Sequence, residues 1–533
     1  MHIRRNPRPA APLDPPRHRR SRITGGALLA TAALLVSACS TGSGAAGAAA
    51  EAAALAALPK ATPAALSSYY GQKLSWRSCG VPGFECATMK APLDYDKPDA
   101  GDVRLAVARK KATGSGKALG SLLVNPGGPG GSAIGYLQAY AGIGYPAEVR
   151  ARYDMVAVDP RGVARSEPVE CLDGRDMDAY TQTDTTPDDE EETDELVATY
   201  KDFAEGCGAR SPGLLRHVST VEAARDMDIL RGVLGDEKLT YVGASYGTFL
   251  GATYAGLFPG RVGRLVLDGA MDPSLPARRM NLDQTAGFET AFQSFARDCV
   301  QQPDCPLGKK AGEVGRNLKA FFGKLDARPI PTGDVDGRKL GESLATTGVI
   351  AAMYDEGAWA QLREALTSAM KENDGAGLLV LADSYYERDA DARYSNLMFA
   401  NAAVNCLDLP AAFDTPDEVR AALPAFEKAS PVFGEGLAWA SLNCAYWPVK
   451  ATGEPHRITA QGAAPVVVVG TTRDPATPYP WARALATQLS SSRLLTYEGD
   501  GHTAYGRGSS CVDSTIDAYL LRGTPPTRGK RCS

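Results

Sequence analysis

Histidine is scarce in this chain of 533 residues: there are five, and His2 and His18 fall within the first twenty positions. No cysteine pair is spaced C-x-x-C and no histidine stands at ligand spacing beside the eleven cysteines, which argues against a zinc centre. No metal and no cofactor is expected. Internal repeats are absent. The uncharged run "GGALLATAALLVSA" (25–38) has 14 residues, too few to cross a bilayer comfortably. Excess positive charge is missing as well. Residues 1–38 hold seven arginines against one aspartate, so the formal charge of −5 on the whole chain becomes −11 on the rest. Such a surface repels a phosphate backbone, so no nucleic-acid partner is expected. What remains, 44% apolar and 22% charged residues, is the composition of a globular protein able to bury a large core.

The arginines at 4, 5, 8, 17, 19, 20 and 22, followed by the short apolar run, form the n-region and h-region of an export signal spanning 1–38. "VSAC" (36–39) resembles the bacterial lipobox, in which Cys39 is acylated and tethers the protein to the outer face of the cell membrane; the alternative is simple cleavage after Ala38 and release. Residues 39–66, rich in Ala, Gly and Ser, read as a low-complexity tether or a frayed alanine helix. With Cys39 set aside, ten cysteines are left, an even number suited to an oxidising compartment. Sequence alone cannot fix their connectivity, but clustering suggests neighbours: 79 with 86, 171 with 207, 299 with 305, 406 with 444 and 511 with 532.

"SLLVN" (121–125), "YDMVAVD" (153–159), "LTYVG" (239–243), "GRLVLDG" (263–269) and "APVVVVGTTRD" (464–474) are continuous apolar runs leading into turns, as buried parallel strands require. The fold class is therefore α/β, in two segments, 67–272 and 464–533. Between them, residues 273–463 show helical patterns such as "GAWAQLREALTSAMKEN" (357–373), expected as a helical cap or lid. "TTPDDEEETDELVATY" (185–200) reads as an acidic helix start with a solvated face.

"LTYVGASYGTFLG" (239–251) places Ser245 in G-x-S-x-G between a strand and a helix-compatible stretch, the context of a nucleophile elbow. A serine hydroxyl needs a base and an orienting carboxylate, which in this architecture follow in the order Ser, acid, His. His217 precedes the nucleophile and His456 leaves no room for a last strand, so His502 in "YEGDGHTAYG" is the expected base. Asp474, at the carboxyl end of the penultimate strand, is the expected acid; Asp268 comes too early, and Asp500 reads as a turn residue. The oxyanion donors are expected from the backbone N–H groups of Tyr246 and Gly128, the latter in "NPGGPGGS" (125–132). That loop contains neither phosphate-binding glycine signature.

Taken together, "NPGGPGGSA", "DPRGVARS" (159–166), "GASYGT", "DPATP" (474–478) and "GDGHT" resemble the α/β-hydrolase serine peptidases related to proline iminopeptidase, and within them the secreted actinobacterial tripeptidyl aminopeptidases. The match runs from about residue 75 to Cys532. It departs from the iminopeptidase loop H-G-G-P-G, having Pro126 before Gly127 and Gly128. The resemblance implies an α/β-hydrolase fold, the triad Ser245, Asp474 and His502, a steadying role for Thr477, and a lid at 273–463 that restricts the enzyme to chain ends. It implies release of short N-terminal peptides from peptide or protein substrates through an acyl-enzyme. A free α-ammonium then calls for carboxylates, with Asp408, Asp355 and Glu356 as candidates. The rivals are an esterase or amidase acting on a lipid or secondary metabolite, and a non-catalytic binding protein on the same scaffold.

Overall fold

A computed structural model describes residues 52–533. The export signal, Cys39 and the first part of the expected tether lie outside the described residues. Among the described residues ten strands form one sheet: β1 (Arg77–Ser78), β2 (Glu85–Pro92), β3 (Asp102–Lys110), β4 (Ser121–Asn125), β5 (Asp154–Val158), β6 (Leu239–Ala244), β7 (Val262–Asp268), β8 (Val466–Arg473), β9 (Ser492–Asp500) and β10 (Lys530–Cys532). Their spatial order is β1-β2-β3-β5-β4-β6-β7-β8-β9-β10. The first three and the β3–β5 pair are antiparallel, and every later pair is parallel.

The apolar runs form strands because both sheet faces are covered. Leu123, Val156, Tyr241 and Leu265 pack into one core layer, while their neighbours Leu122, Val124, Met155, Val242 and Val266 pack into the layer on the opposite face, as the two-residue period of a strand dictates. The antiparallel edge and β10 were not among the expected strands. In β3 alternate residues are buried, which is the pattern of a strand with one wet face; β10 is three residues long and ends on Cys532, which is bridged to Cys511.

Helices dominate the excursion between β7 and β8, from Ala277–Cys299 to Gly434–Ala440. Many share a core of their own, built around Phe292, Phe295, Phe322, Leu344, Leu366 and Phe433. The helix Leu397–Asp408 is an exception within the excursion: Phe399, Ala402, Ala403 and Leu407 pack into the sheet-side core. The acidic stretch forms the helix Glu190–Arg210, capped by Asp189, with Glu190, Glu191 and Glu192 in its first turn. Its other face is not solvated, since Leu196 and Tyr200 pack against Phe413, Val419 and Trp439.

The stretch expected as tether up to residue 66 is laid against the body from residue 52 on. Arg457 N–H donates to the Ala53 carbonyl at 2.7 Å, Leu55 N–H to Arg457 at 2.8 Å and Leu58 N–H to Leu257 at 2.9 Å. Leu55 rests over Gly256, where a Cβ would come within 3.0 Å of its Cδ2. Alanine-rich composition concealed the leucines that make this contact. The five disulfides among the described residues join the sequence neighbours, 79–86, 171–207, 299–305, 406–444 and 511–532.

Candidate active site

In the sheet, the chain passes from β4 to β5 on one side and later returns to β6 on the other. The carboxyl ends of β4 and β6 therefore lie side by side, with Asn125 in register with Gly243, at the crevice where α/β sheets carry their sites. The "NPGGPGGS" loop leaves β4 there, and the turn carrying Ser245 leaves β6. Ser245 has φ 56° and ψ −126°, a sparsely populated conformation for a residue with a side chain. The flanking glycines make that turn sterically possible. A Cβ on Gly243 would meet the Gly247 carbonyl at 2.3 Å, and one on Gly247 would meet Asn125 O at 2.8 Å.

Ser245 N–H donates to the Asp268 carbonyl at 2.9 Å, which ties the turn to the end of β7. The next residue, Gly269, has φ 67°, and a Cβ there would stand 3.2 Å from His502 Cε1. That close approach requires glycine. His502 Nδ1 lies 2.8 Å from Asp474 Oδ1 and 3.0 Å from Oδ2. The Asp474 carboxylate, almost fully buried, also accepts the N–H groups of Ala476, Thr477 and Thr503 and the Thr477 hydroxyl at 3.1 Å. With these donors its orientation is fixed. His502 Nε2 is buried and makes no hydrogen bond among the described residues.

The two amides expected to serve an oxyanion are free in the same sense. Neither Tyr246 N–H, the first of the helix Tyr246–Leu257, nor Gly128 N–H donates to an acceptor among the described residues. Gly127 N–H is occupied by Asn125 Oδ1 at 2.9 Å. Beneath this loop, buried Asp159 accepts from Ser132 Oγ at 2.8 Å and Ile134 N–H at 2.9 Å, and burial raises its carboxyl above the ordinary range. Two residues on, Arg161 is fully buried and grips Asp226 through two 2.7 Å contacts, with Pro92, Leu93 and His217 carbonyls taking its other N–H groups. The "DPRG" motif thus holds the loop from below.

The remaining sequence candidates go elsewhere. Asp268 receives Ala504 N–H at 3.0 Å and Tyr505 N–H at 2.8 Å, fixing the segment just after His502; burial raises its carboxyl. Asp500 forms a two-pronged pair with Arg473 at 2.7 Å. His217 faces Glu222 at 3.1 Å, and His456 Nδ1 lies 2.8 Å from the Glu454 carbonyl. The three proposed amine-binding acids do not converge. Asp355 is exposed, caps residues 356–358 and pairs with Arg507 at 2.8 Å, and Glu356 is exposed beside it. Asp408 is buried, with both oxygens on Thr220. Spacing in the sequence could not reveal that Asp355 and Asp408 already have partners.

Several residues at the site were not among the expectations. Tyr354, at the end of the helix Glu342–Met353, accepts His502 N–H on its carbonyl at 2.8 Å and sets its ring edge-on to the imidazole at 5.5 Å. The helical excursion therefore touches the histidine directly. Asn125 and Gly269 complete the set, and the one sequence signal for them is their position at strand ends.

Two family profiles match the chain: "alpha/beta hydrolase fold" over residues 120–352 and "TAP-like protein" over 430–532. Serine protease Hip1 of Mycobacterium tuberculosis is 40% identical over 483 residues, covering 87% of this chain and 91% of that protein. Carboxylesterase B of the same organism is 38% identical over 472 residues, covering 86% and 90%. Tripeptidyl aminopeptidase of Streptomyces coelicolor is 32% identical over 483 residues, covering 86% of each. With fold, profiles and near full-length relatives in agreement, the chain belongs to the α/β-hydrolase family, in the TAP-like group that includes these mycobacterial and Streptomyces enzymes.

Proposed function

We propose that the chain is an exported serine exopeptidase that releases short peptides, tripeptides in the first instance, from free N-termini. The observation that carries this reading is the Asp474–His502 pair at 2.8 Å, set beside the strained Ser245 turn with Nε2 unpartnered. Asp474 holds the Nδ1–H tautomer, leaving Nε2 to take the proton from Ser245 Oγ as that oxygen attacks the scissile carbonyl. The negative charge developing on the carbonyl oxygen is met by Tyr246 and Gly128 N–H; Gly127 is excluded from that task because Asn125 already holds its amide. The imidazolium then protonates the leaving amine, and water repeats the sequence on the acyl-enzyme. The helical excursion, in contact with His502 through Tyr354, supplies the roof that favours chain ends over internal bonds.

The N-terminal arginines and short apolar run support export, and the lipobox-like "VSAC" supports a lipid on Cys39. Among the described residues no helix is long and apolar enough to cross a membrane.

An esterase or amidase reading keeps the same machinery. It is favoured by one observation, that Asp355 and Asp408 are committed to Arg507 and Thr220 and so are not free to hold an α-ammonium. Assay of the purified enzyme on an N-terminally free tripeptide anilide, its N-acetylated twin and a short-chain ester separates the two. Turnover of the free tripeptide alone supports the exopeptidase; comparable turnover of the blocked peptide or the ester overturns it.

A further inference from the structure

We propose that the helix Leu397–Asp408 braces both amides of the oxyanion hole, with Asn401 and Asp408 as its positioning residues. The inference rests on the triad and oxyanion assignments above. At one end, the Gly/Pro loop lies directly on the helix: a Cβ on Gly130 would come within 2.4 Å of the Leu397 carbonyl and 3.2 Å of Ala400 Cβ. Asn401 Nδ2 donates to the Pro129 carbonyl at 3.1 Å, fixing the residue that follows Gly128.

At the other end, Asp408 accepts Thr220 N–H on Oδ1 at 2.9 Å and the Thr220 hydroxyl on Oδ2 at 2.5 Å. The Thr220 Oγ lies 2.5 Å from the Tyr246 hydroxyl. With Asp408 ionised, the single threonine hydroxyl proton goes to the carboxylate, and Tyr246 donates to Thr220. Its side chain is thereby pinned at the residue whose amide is the second oxyanion donor. Asn401 and Asp408 stand about 10 Å apart along the helix axis, at 1.5 Å per residue. One rigid element therefore sets the position of both donors.

The seat of this helix fits that role. Asn396 accepts Ala164 N–H at 2.8 Å and donates to the Gly162 carbonyl at 2.7 Å, joining the helix start to the "DPRGVARS" segment. The Cys406–Cys444 disulfide holds its end, and Phe399, Ala402, Ala403 and Leu407 bury it in the sheet-side core. It is thus fixed to the catalytic body, whereas many of the other excursion helices share a core of their own.

Three substitutions test the brace: Asn401→Ala at one end, Thr220→Val and Tyr246→Phe at the other, with Thr220→Ser as the conservative rescue. Active sites are titrated with a fluorophosphonate, so that rates refer to folded, reactive enzyme. The expected result is a fall of about ten-fold in kcat per titrated site with KM unchanged, smaller than the 10²–10³ lost when a donor itself is removed. Affinity for a peptide boronate, which forms a tetrahedral adduct on Ser245, falls by the same factor, while affinity for the released peptide stays constant. Thr220→Ser restores most of both. A purely structural role lowers melting temperature or the titratable fraction and leaves kcat per site and boronate affinity unchanged; that result in Asn401→Ala and Tyr246→Phe overturns the proposal. Failure of the underlying triad reading looks different: the wild-type enzyme itself takes up no phosphonate and ignores the boronate, and the brace falls with it.

Discussion

Gly127 lies against Ser245 so closely that a Cβ on it would stand 2.9 Å from both Ser245 Cβ and Tyr246 N, and 2.5 Å from the Ala244 carbonyl. Backbone atoms cannot yield at those distances, and φ 97° is itself unfavourable for any residue with a side chain. Gly127→Ala is expected to displace the Gly/Pro loop from the nucleophile turn. Activity should fall by at least about 100-fold, the scale of a lost oxyanion donor. Steady-state kinetics together with a thermal melt check this; near wild-type kcat would show that the loop does not serve Ser245.

Asp474→Asn should lower kcat by about 10³-fold or more, because an amide facing Nδ1 no longer selects the tautomer that leaves Nε2 free to accept a proton. The same carboxylate takes four further hydrogen bonds from residues 476, 477 and 503. The variant is therefore expected to melt at lower temperature as well, and circular dichroism at the assay temperature separates the two losses.

Which residues gather in the candidate site was largely legible from residue order alone, and the reasons are local. A buried parallel strand is a continuous apolar run, and a strand followed by Gly-x-Ser-x-Gly and a helix marks a nucleophile elbow. With so few histidines, elimination reached His502. Partner choice was not legible. Asp355, Asp408 and Asp268 are the same residue type, and what distinguishes them is whether Arg507, Thr220 or the amides of 504 and 505 come from elsewhere in the chain to meet them. Tyr354 acts through its carbonyl, which carries no residue-specific signal. The contact made by Ala53, Leu55 and Leu58 was hidden by composition, since a few leucines decide it and alanines dominate the count.

Stability should rise as pH is lowered from 8 toward 5. Burial pushes the Asp408 carboxyl up to about 7, opposed by its Thr220 hydrogen bonds and reinforced by Glu222. Burial with Asp184, Asp326 and Glu435 nearby pushes Glu342 up to about 7 as well. A carboxyl whose pKa is raised on folding binds its proton more tightly in the native state, so between the unfolded value and about 7 the folded protein gains as pH falls. Melting temperatures measured across this range should climb toward acid, and Asp408→Asn should flatten the slope. A wild-type profile that falls steadily from pH 8 to 5 would contradict these shifts.

The Cys406–Cys444 bridge closes a loop of 38 residues and ends the helix that carries Asn401 and Asp408. Chain-entropy arguments assign such a loop about 3–4 kcal/mol. Replacing both cysteines by alanine should lower the melting temperature by several degrees. It should also reduce kcat more than KM, because the seat of the helix is loosened. Equal kcat in the two proteins would separate the bridge from catalysis.

The most direct test is product analysis. A decapeptide with a free N-terminus is incubated with the enzyme and with Ser245→Ala, and the fragments are identified by mass spectrometry over time. The account predicts an N-terminal tripeptide and the complementary heptapeptide first, further trimming from the same end later, and no cleavage by the variant. Internal or C-terminal cuts, or equal cleavage by Ser245→Ala, would contradict it.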